Sequence, residues 1–371
     1  MQSPRRVREL GVVVGSLPTG RLNAITDVPG VRVGQTTITG DGLNTGVTAI
    51  VPAGWEATLP AAVAVGNGYG KLIGTTQVEE LGVIETPILL TGTLSTFRVA
   101  DAFLTWLLDR NPRATSLNPI VGETNDGHLS DIRRRPITPT HVHSALDNAT
   151  SALPSEGCAG AGTGTAALGF KAGIGTASRL LPAPVAPATP PQPTAPIPPS
   201  QPVAPATPSQ PAALTPPGQP VVTIPPGPTP PPGGAAGGYT VGALVQANFS
   251  GVLTVLGRPV PAPPIDADGN SCMIVVATDL PLDSRQLGRL ARRAIFAMAR
   301  VGSDYAPGSG DYAIAFTTSR TPTYADRDLR VPFQAVTESI EEALLNSLTM
   351  ARTTTGFNNH TAHAVPHDLL R

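Results

Sequence analysis

The chain of 371 residues carries 25 basic and 26 acidic side chains, and with no basic run longer than Arg133-Arg134-Arg135 it lacks the electrostatic footprint of a nucleic-acid binder. Its 42 prolines and 39 glycines are too unevenly placed for a collagen-like or wholly disordered polymer, because 22 of the prolines fall in residues 182–232. Two cysteines cannot build a disulfide framework or a cysteine metal site, and no apolar run approaches the roughly 18 residues of a membrane span.

In chain order, Arg5, Arg6 and Arg8 precede an apolar run, Leu10 to Val14, that is too short for a signal-peptide core. The expected location is the cytoplasm, with the periplasm as the alternative. Apolar patterning predicts strands at Gly46–Val51, Ala61–Val65 and Pro87–Thr91, then a helix over Thr96–Arg110 with Val99, Ala102, Phe103, Trp106 and Leu107 on one face. Residues 182–232 contain no Lys, Arg, Asp, Glu or aromatic side chain, so they read as an extended or disordered insertion between two ordered halves. Their PxxP spacings lack flanking basic residues and make poor adaptor ligands. Beyond them, strands are predicted at Thr240–Gln246, Gly251–Leu256, Met273–Thr278 and Tyr312–Thr317. Helices are predicted over Ser284–Arg300, which ends at Gly302, and over Val336–Arg352. Sheets covered by amphipathic helices imply a layered α/β protein.

Several motifs fail on inspection. Gly66-Asn67-Gly68-Tyr69-Gly70-Lys71 has no Ser or Thr after its Lys, and Gly160-Ala-Gly-Thr-Gly164 lacks the GxGxxG register, so both read as tight turns with close backbone packing. The pairing His141-x-His143 and the later His360, His363 and His367 lack acidic partners at ligand spacing, and HExxH is absent; no metal and no cofactor are expected. No GxSxG elbow supplies an α/β-hydrolase nucleophile. What survives is Asp268-Gly-Asn-Ser271, a turn-forming peptide that delivers a serine to the start of the strand Met273–Thr278. On local grounds alone this is a turn and an edge residue. Ser309 and Asp311 likewise read locally as turn residues, Glu123 as a loop acid, and Asp126 as a turn former.

Seven blocks in order change that reading. They are Leu22-Asn-Ala-Ile-Thr-Asp-Val-Pro-Gly-Val-Arg-Val-Gly34, Glu85-Thr-Pro-Ile-Leu-Leu-Thr91, Val121-Gly-Glu-Thr-Asn-Asp-Gly127, Gly160-Ala-Gly-Thr-Gly164 with Gly169-Phe-Lys171, Val245-Gln-Ala-Asn-Phe249, Asn270-Ser271, and Gly308-Ser-Gly-Asp-Tyr312. With them the chain resembles the self-processing serine aminopeptidases, the family of L-aminopeptidase/D-amidase-esterases and β-peptidyl aminopeptidases.

The resemblance implies a four-layer αββα sandwich, layered like the N-terminal-nucleophile hydrolases but connected differently. It also implies one domain cut before Ser271 into an α chain, 1–270, and a β chain, 271–371, with the αβ units forming a homo-oligomer. By position it assigns Ser271 as nucleophile with its own α-amine as base, and Asn248 as the oxyanion donor. Ser309 and Asp311 hold the amine of the nucleophile. Glu123 holds the free amine of a small peptide, amide or ester substrate, with Asn67 and Tyr69 near the pocket. His128 stands where some members carry a tyrosine that supports the oxyanion, and Lys71 where many carry an acid. Pocket preference among L-α, D-α and β-amino residues is left open. An acyltransferase of related layering, which would use Thr, and a non-catalytic protein recruiting partners through its proline arm are the competing readings.

Overall fold

The computed structural model describes residues 3–182, 238–262 and 270–370. The proline-rich insertion expected at 182–232 therefore lies outside the described residues except for Pro182.

Two sheets carry the architecture. The first has the order β1-β2-β6-β7-β4, built from β1 (Val31–Gly40), β2 (Leu43–Pro52), β4 (Leu72–Ile73), β6 (Ile88–Gly92) and β7 (Ile120–Thr124). The second has the order β10-β11-β14-β15-β3-β5, built from β3 (Leu59–Gly68), β5 (Val83–Ile84), β10 (Ile174–Leu181), β11 (Tyr239–Asn248), β14 (Asn270–Thr278) and β15 (Ser309–Thr317). Three short ladders complete the strands: β8 (Ala166–Ala167) with β9 (Phe170–Lys171), β12 (Thr254–Val255) with β13 (Arg258–Pro259), and β16 (Thr354–Thr355) with β17 (Thr361–Ala362).

Each main sheet holds one parallel pair, β6–β7 in the first and β14–β15 in the second, and all its other pairings are antiparallel. A parallel pair needs a crossover, and a helix supplies each one. Helix α2 (Thr96–Arg110) follows β6 and α4 (Ser284–Met298) follows β14, while α1 (Thr75–Leu81), α3 (Pro139–Asp147) and α5 (Arg330–Thr349) complete the helical set. Helices α2 and α3 cover the first sheet, α4 and α5 cover the second, and β7 packs on β14 and β11 across the interface. The layers run helix, sheet, sheet, helix.

Strand β14 shows why the sequence gives this sandwich. Met273, Val275 and Ala277 enter the core between the sheets, whereas Cys272, Ile274 and Val276 enter the core under α4 and α5. A strand buried on both faces reads as a continuous apolar run, which Met273 to Ala277 is. Gly122 permits the sheets to approach, since a Cβ there would lie 2.3 Å from the Met273 side chain.

Two expectations need correction. The strand expected over Gly251–Leu256 shrinks to Thr254–Val255, because Gly251 and Leu256 take positive φ of 135° and 48° and break the extension. Gly66–Gly68 is not a tight turn: it ends β3, and the ladder with β15 shifts register between Asp311 and Tyr312. Strands β1, β7 and β10 escaped the sequence reading. The last contains Arg179, which is fully buried and pairs with Glu338 at 3.0 Å and Glu342 at 2.7 Å on α5; Arg8 also reaches Glu342, at 2.6 Å. Buried pairs like these stabilise little by themselves, but removing one partner strands a charge in the core. Arg179→Ala is expected to lower unfolding free energy by about 3–5 kcal/mol in urea titration; a loss under about 1 kcal/mol would show that water reaches Glu338 and Glu342.

Candidate active site

The site lies where β14 is flanked by β11 and β15. Asn248, the last residue of β11, sits across from Ser271, and Ser271 sits across from Gly310 on the other side. Asn270 opens β14 opposite Ser309. The nucleophile candidate is buried, at 4% exposure, and so are Asn248, Ser309 and Asp311. Three neighbouring strands therefore assemble four residues from three segments that are far apart in the sequence.

Each neighbour is held in a defined orientation. The Ser309 hydroxyl donates to Asp311 Oδ1 at 2.7 Å, and Asn67 Nδ2 donates to Asp311 Oδ2 at 2.9 Å and to the Tyr305 carbonyl at 3.1 Å. With its proton committed to Asp311, Ser309 Oγ keeps acceptor capacity for an ammonium. Burial pushes the Asp311 carboxyl above its ordinary value, while hydrogen bonds from Ser309, Asn67 and the Cys272 backbone pull it down. Asn248 Oδ1 accepts from the Ala166 backbone N–H at 3.1 Å, which fixes the amide flip and identifies Nδ2 as the end that donates elsewhere.

The facing sheet supplies the acids. Glu123 on β7 is 2% exposed; its Oε1 accepts from the Lys71 backbone N–H at 2.9 Å and from Lys71 Nζ at 3.2 Å, and its Oε2 is buried with no protein partner. Gly310 makes this reach possible. A Cβ on it would lie 2.9 Å from the Gly70 Cα and 3.0 Å from the Tyr69 carbonyl, so only glycine lets the segment leading to Lys71 press against the Ser271 row. The Tyr69 N–H donates to the Ser309 carbonyl at 3.1 Å, while the Tyr69 ring is 78% exposed at the rim. His128 stacks on His360 with ring centroids 4.8 Å apart.

A family model described as peptidase family S58 matches residues 23–189 and 230–362. The chain belongs to peptidase family S58. It is 35% identical to the beta-peptidyl aminopeptidase BapA of Sphingosinicella xenopeptidilytica over 98% of this chain and 90% of that one. Among solved structures it superposes with a TM-score of 0.80 on the PH0078 protein of Pyrococcus horikoshii OT3, at 35% identity over 99% of this chain and 97% of the other. With a TM-score of 0.77 and 32% identity it matches the L-aminopeptidase D-Ala-esterase/amidase of Ochrobactrum anthropi, over 98% of this chain and 96% of the other. That structure is described as a prototype for the serine aminopeptidases and a new variant among the Ntn hydrolase fold. The S58 chain is thus an enzyme of the serine aminopeptidase class, with the Ntn-type αββα layering that the resemblance implied.

Sequence reasoning undervalued several residues of this S58 site. Asp126 does open a turn, its carbonyl accepting from the Leu129 and Ser130 N–H groups at 3.2 and 3.0 Å, but its side chain is turned into the core and the residue is 1% exposed. Burial raises it to about 7, with Thr45 and Lys171 pulling down and Glu123 pushing further up. Lys171 is fully buried and donates to the Gly162 carbonyl at 3.3 Å, and burial lowers its pKa. Gln246 Nε2 reaches the Thr91 carbonyl, Thr124 Oγ1 and the Ala161 carbonyl at 3.1, 2.8 and 2.9 Å, tying β6, β7 and the Gly160–Gly162 turn to β11. The blocks Gly-Glu-Thr-Asn-Asp-Gly, Gly-Phe-Lys and Gln-Ala-Asn-Phe held these residues in plain view. Their chemistry was hidden because burial cannot be read from spacing.

A folded carboxyl titrating near 7 against 3.8 in the unfolded chain binds its proton more tightly when native, so stability from Asp126 is full below about pH 4 and is lost as pH rises toward 7. Asp126→Asn is expected to flatten the fall in melting temperature between pH 5 and pH 8; an unchanged slope would show that Asp126 is ionised throughout.

Proposed function

We propose that this S58 enzyme cuts its own chain between Asn270 and Ser271 and then removes N-terminal residues from short peptides, amides and esters through an acyl-enzyme on Ser271. The observation that supports it most directly is the row Asn248, Ser271, Gly310, flanked by the Ser309–Asp311 hydrogen bond.

In the precursor, Ser271 Oγ attacks the Asn270 carbonyl, the peptide nitrogen leaves as the new α-amine, and water hydrolyses the resulting ester. The α-amine, whose pKa lies near 8, then serves as base for the hydroxyl of its own residue. Ser309 Oγ accepts from this amine and Asp311 lies behind it, so the amine is oriented and its proton has a place to reside. On substrate, Ser271 Oγ attacks the scissile carbonyl, Asn248 Nδ2 donates to the developing oxyanion, and the ammonium returns its proton to the leaving amine. Water then releases the acyl group. Glu123 Oε2, buried and without a protein partner, receives the substrate's free amine; a blocked N-terminus would leave that oxygen unpaired, which accounts for action at the chain end.

Preference for a β-amino residue is supported by the name of the Sphingosinicella relative. No helix among the described residues is long and apolar enough to cross a membrane, and both cysteines are unpaired, which suits a reducing cytoplasm. Assembly of αβ units into a homo-oligomer belongs to the same reading.

Ser271→Ala is expected to leave the chain uncut and to lower p-nitroaniline release from alanyl and β-alanyl anilides by about a thousandfold or more. Turnover within about tenfold of the parent would move the nucleophile elsewhere.

A further inference from the structure

The amine subsite carries more than an acid. Lys71 Nζ donates to Thr93 Oγ1 at 2.8 Å and to Glu123 Oε1 at 3.2 Å, which uses two of its three N–H bonds. Its third has no acceptor among the described residues, and its side chain is 36% exposed. Across the pair, Glu123 Oε2 is buried and has no donor. The ion pair therefore presents one open acceptor and one open donor side by side. A simple ammonium satisfies the first and leaves a cation next to it; a group that carries an ammonium and a carboxylate on one carbon satisfies both. Lysine is suited to this task, since its compact charge lets it hold Glu123 and still turn a donor outward.

We propose that this subsite takes an N-terminal residue whose free amine and a carboxylate share one carbon, that carbon lying β to the scissile carbonyl. The simplest substrates of that class are β-aspartyl peptides and amides, in which a β-alanyl group bears a carboxylate on its amine-carrying carbon. The inference rests on the reading of Ser271 as nucleophile and Glu123 as the amine-holding acid. The ammonium goes to Glu123 Oε2 and the carboxylate to the third N–H of Lys71. Ser271 Oγ forms a bond to the β-carbonyl carbon, the C–N bond breaks, and the leaving amine takes the proton. Water then cleaves the ester, so the net reaction is one water consumed with free aspartate and an amine formed.

The test compares β-aspartyl, β-alanyl and α-aspartyl p-nitroanilides on the purified full-length enzyme and on Lys71→Met, whose folding is checked by its separation into two chains. The expected kcat/KM for β-aspartyl anilide exceeds that for the other two by about tenfold or more, with most of the difference in KM, and Lys71→Met reverses the preference over β-alanyl. Equal or better turnover of β-alanyl or α-aspartyl anilide by the parent enzyme overturns the proposal, as does a ratio that Lys71→Met leaves unchanged. Cleavage of β-alanyl anilide alone overturns it while sparing the aminopeptidase reading; cleavage of none of the three overturns both.

Discussion

The parallel pairing of β14 with β15, set against the antiparallel pairing of β14 with β11, is the constraint on which the site depends. It places Asn248, Ser271 and Gly310 in one row. A strand slipped by one residue would turn Ser271 toward the opposite face of the sheet. Register is protected from both sides, because Met273, Val275 and Ala277 fill the core between the sheets while Cys272, Ile274 and Val276 fill the core beneath α4 and α5. The packing that stabilises the sandwich is thus the same packing that aims Ser271. Gly310 adds the second dimension, since its missing side chain admits the Tyr69–Gly70 backbone and with it Lys71, which pairs with Glu123 on the other sheet.

Around that row the fold buries polar groups that a purely structural core would avoid. Glu123, Asp126, Lys171 and Gln246 are all nearly inaccessible, and Glu123 Oε2 meets no hydrogen-bond donor. Leaving such groups unpaired costs on the order of 1–3 kcal/mol each, so their presence marks a place where stability is exchanged for chemistry. Arg179, Glu338 and Glu342 are different. Their charges satisfy one another far from Ser271 in the fold, and they anchor α5 to the edge strand β10.

Most of the second sheet was legible in the sequence, because strands buried on both faces read as apolar runs and α4 and α2 as amphipathic helices with clear periods. Strand β7 was not. Its Ile120-Val-Gly-Glu-Thr124 mixes a glycine and an acid into a fully buried interior strand, which breaks the apolar run expected of such a strand. Strand β10 hid behind Arg179 for a similar reason, and the positive φ at Gly251 and Leu256 broke an apolar stretch that looked extended. For the site, Ser271, Asn248, Ser309, Asp311 and Glu123 were named from matching blocks and Asn67 from the Gly-Asn-Gly stretch; the fold brings five of them to the neighbouring strands β11, β14, β15 and β3, and Glu123 to β7, which packs on β14 from the facing sheet. Asp126 was misjudged because an Asn-Asp-Gly string looks the same whether its carboxyl faces water or a core.

The central claim is that Ser271 becomes a chain terminus. N-terminal sequencing of the purified, freshly matured enzyme tests it most directly. Two chains are expected, one of them beginning Ser271-Cys272-Met273 with a free amine. A catalytically active preparation consisting of one chain unbroken across Asn270 and Ser271 would contradict it.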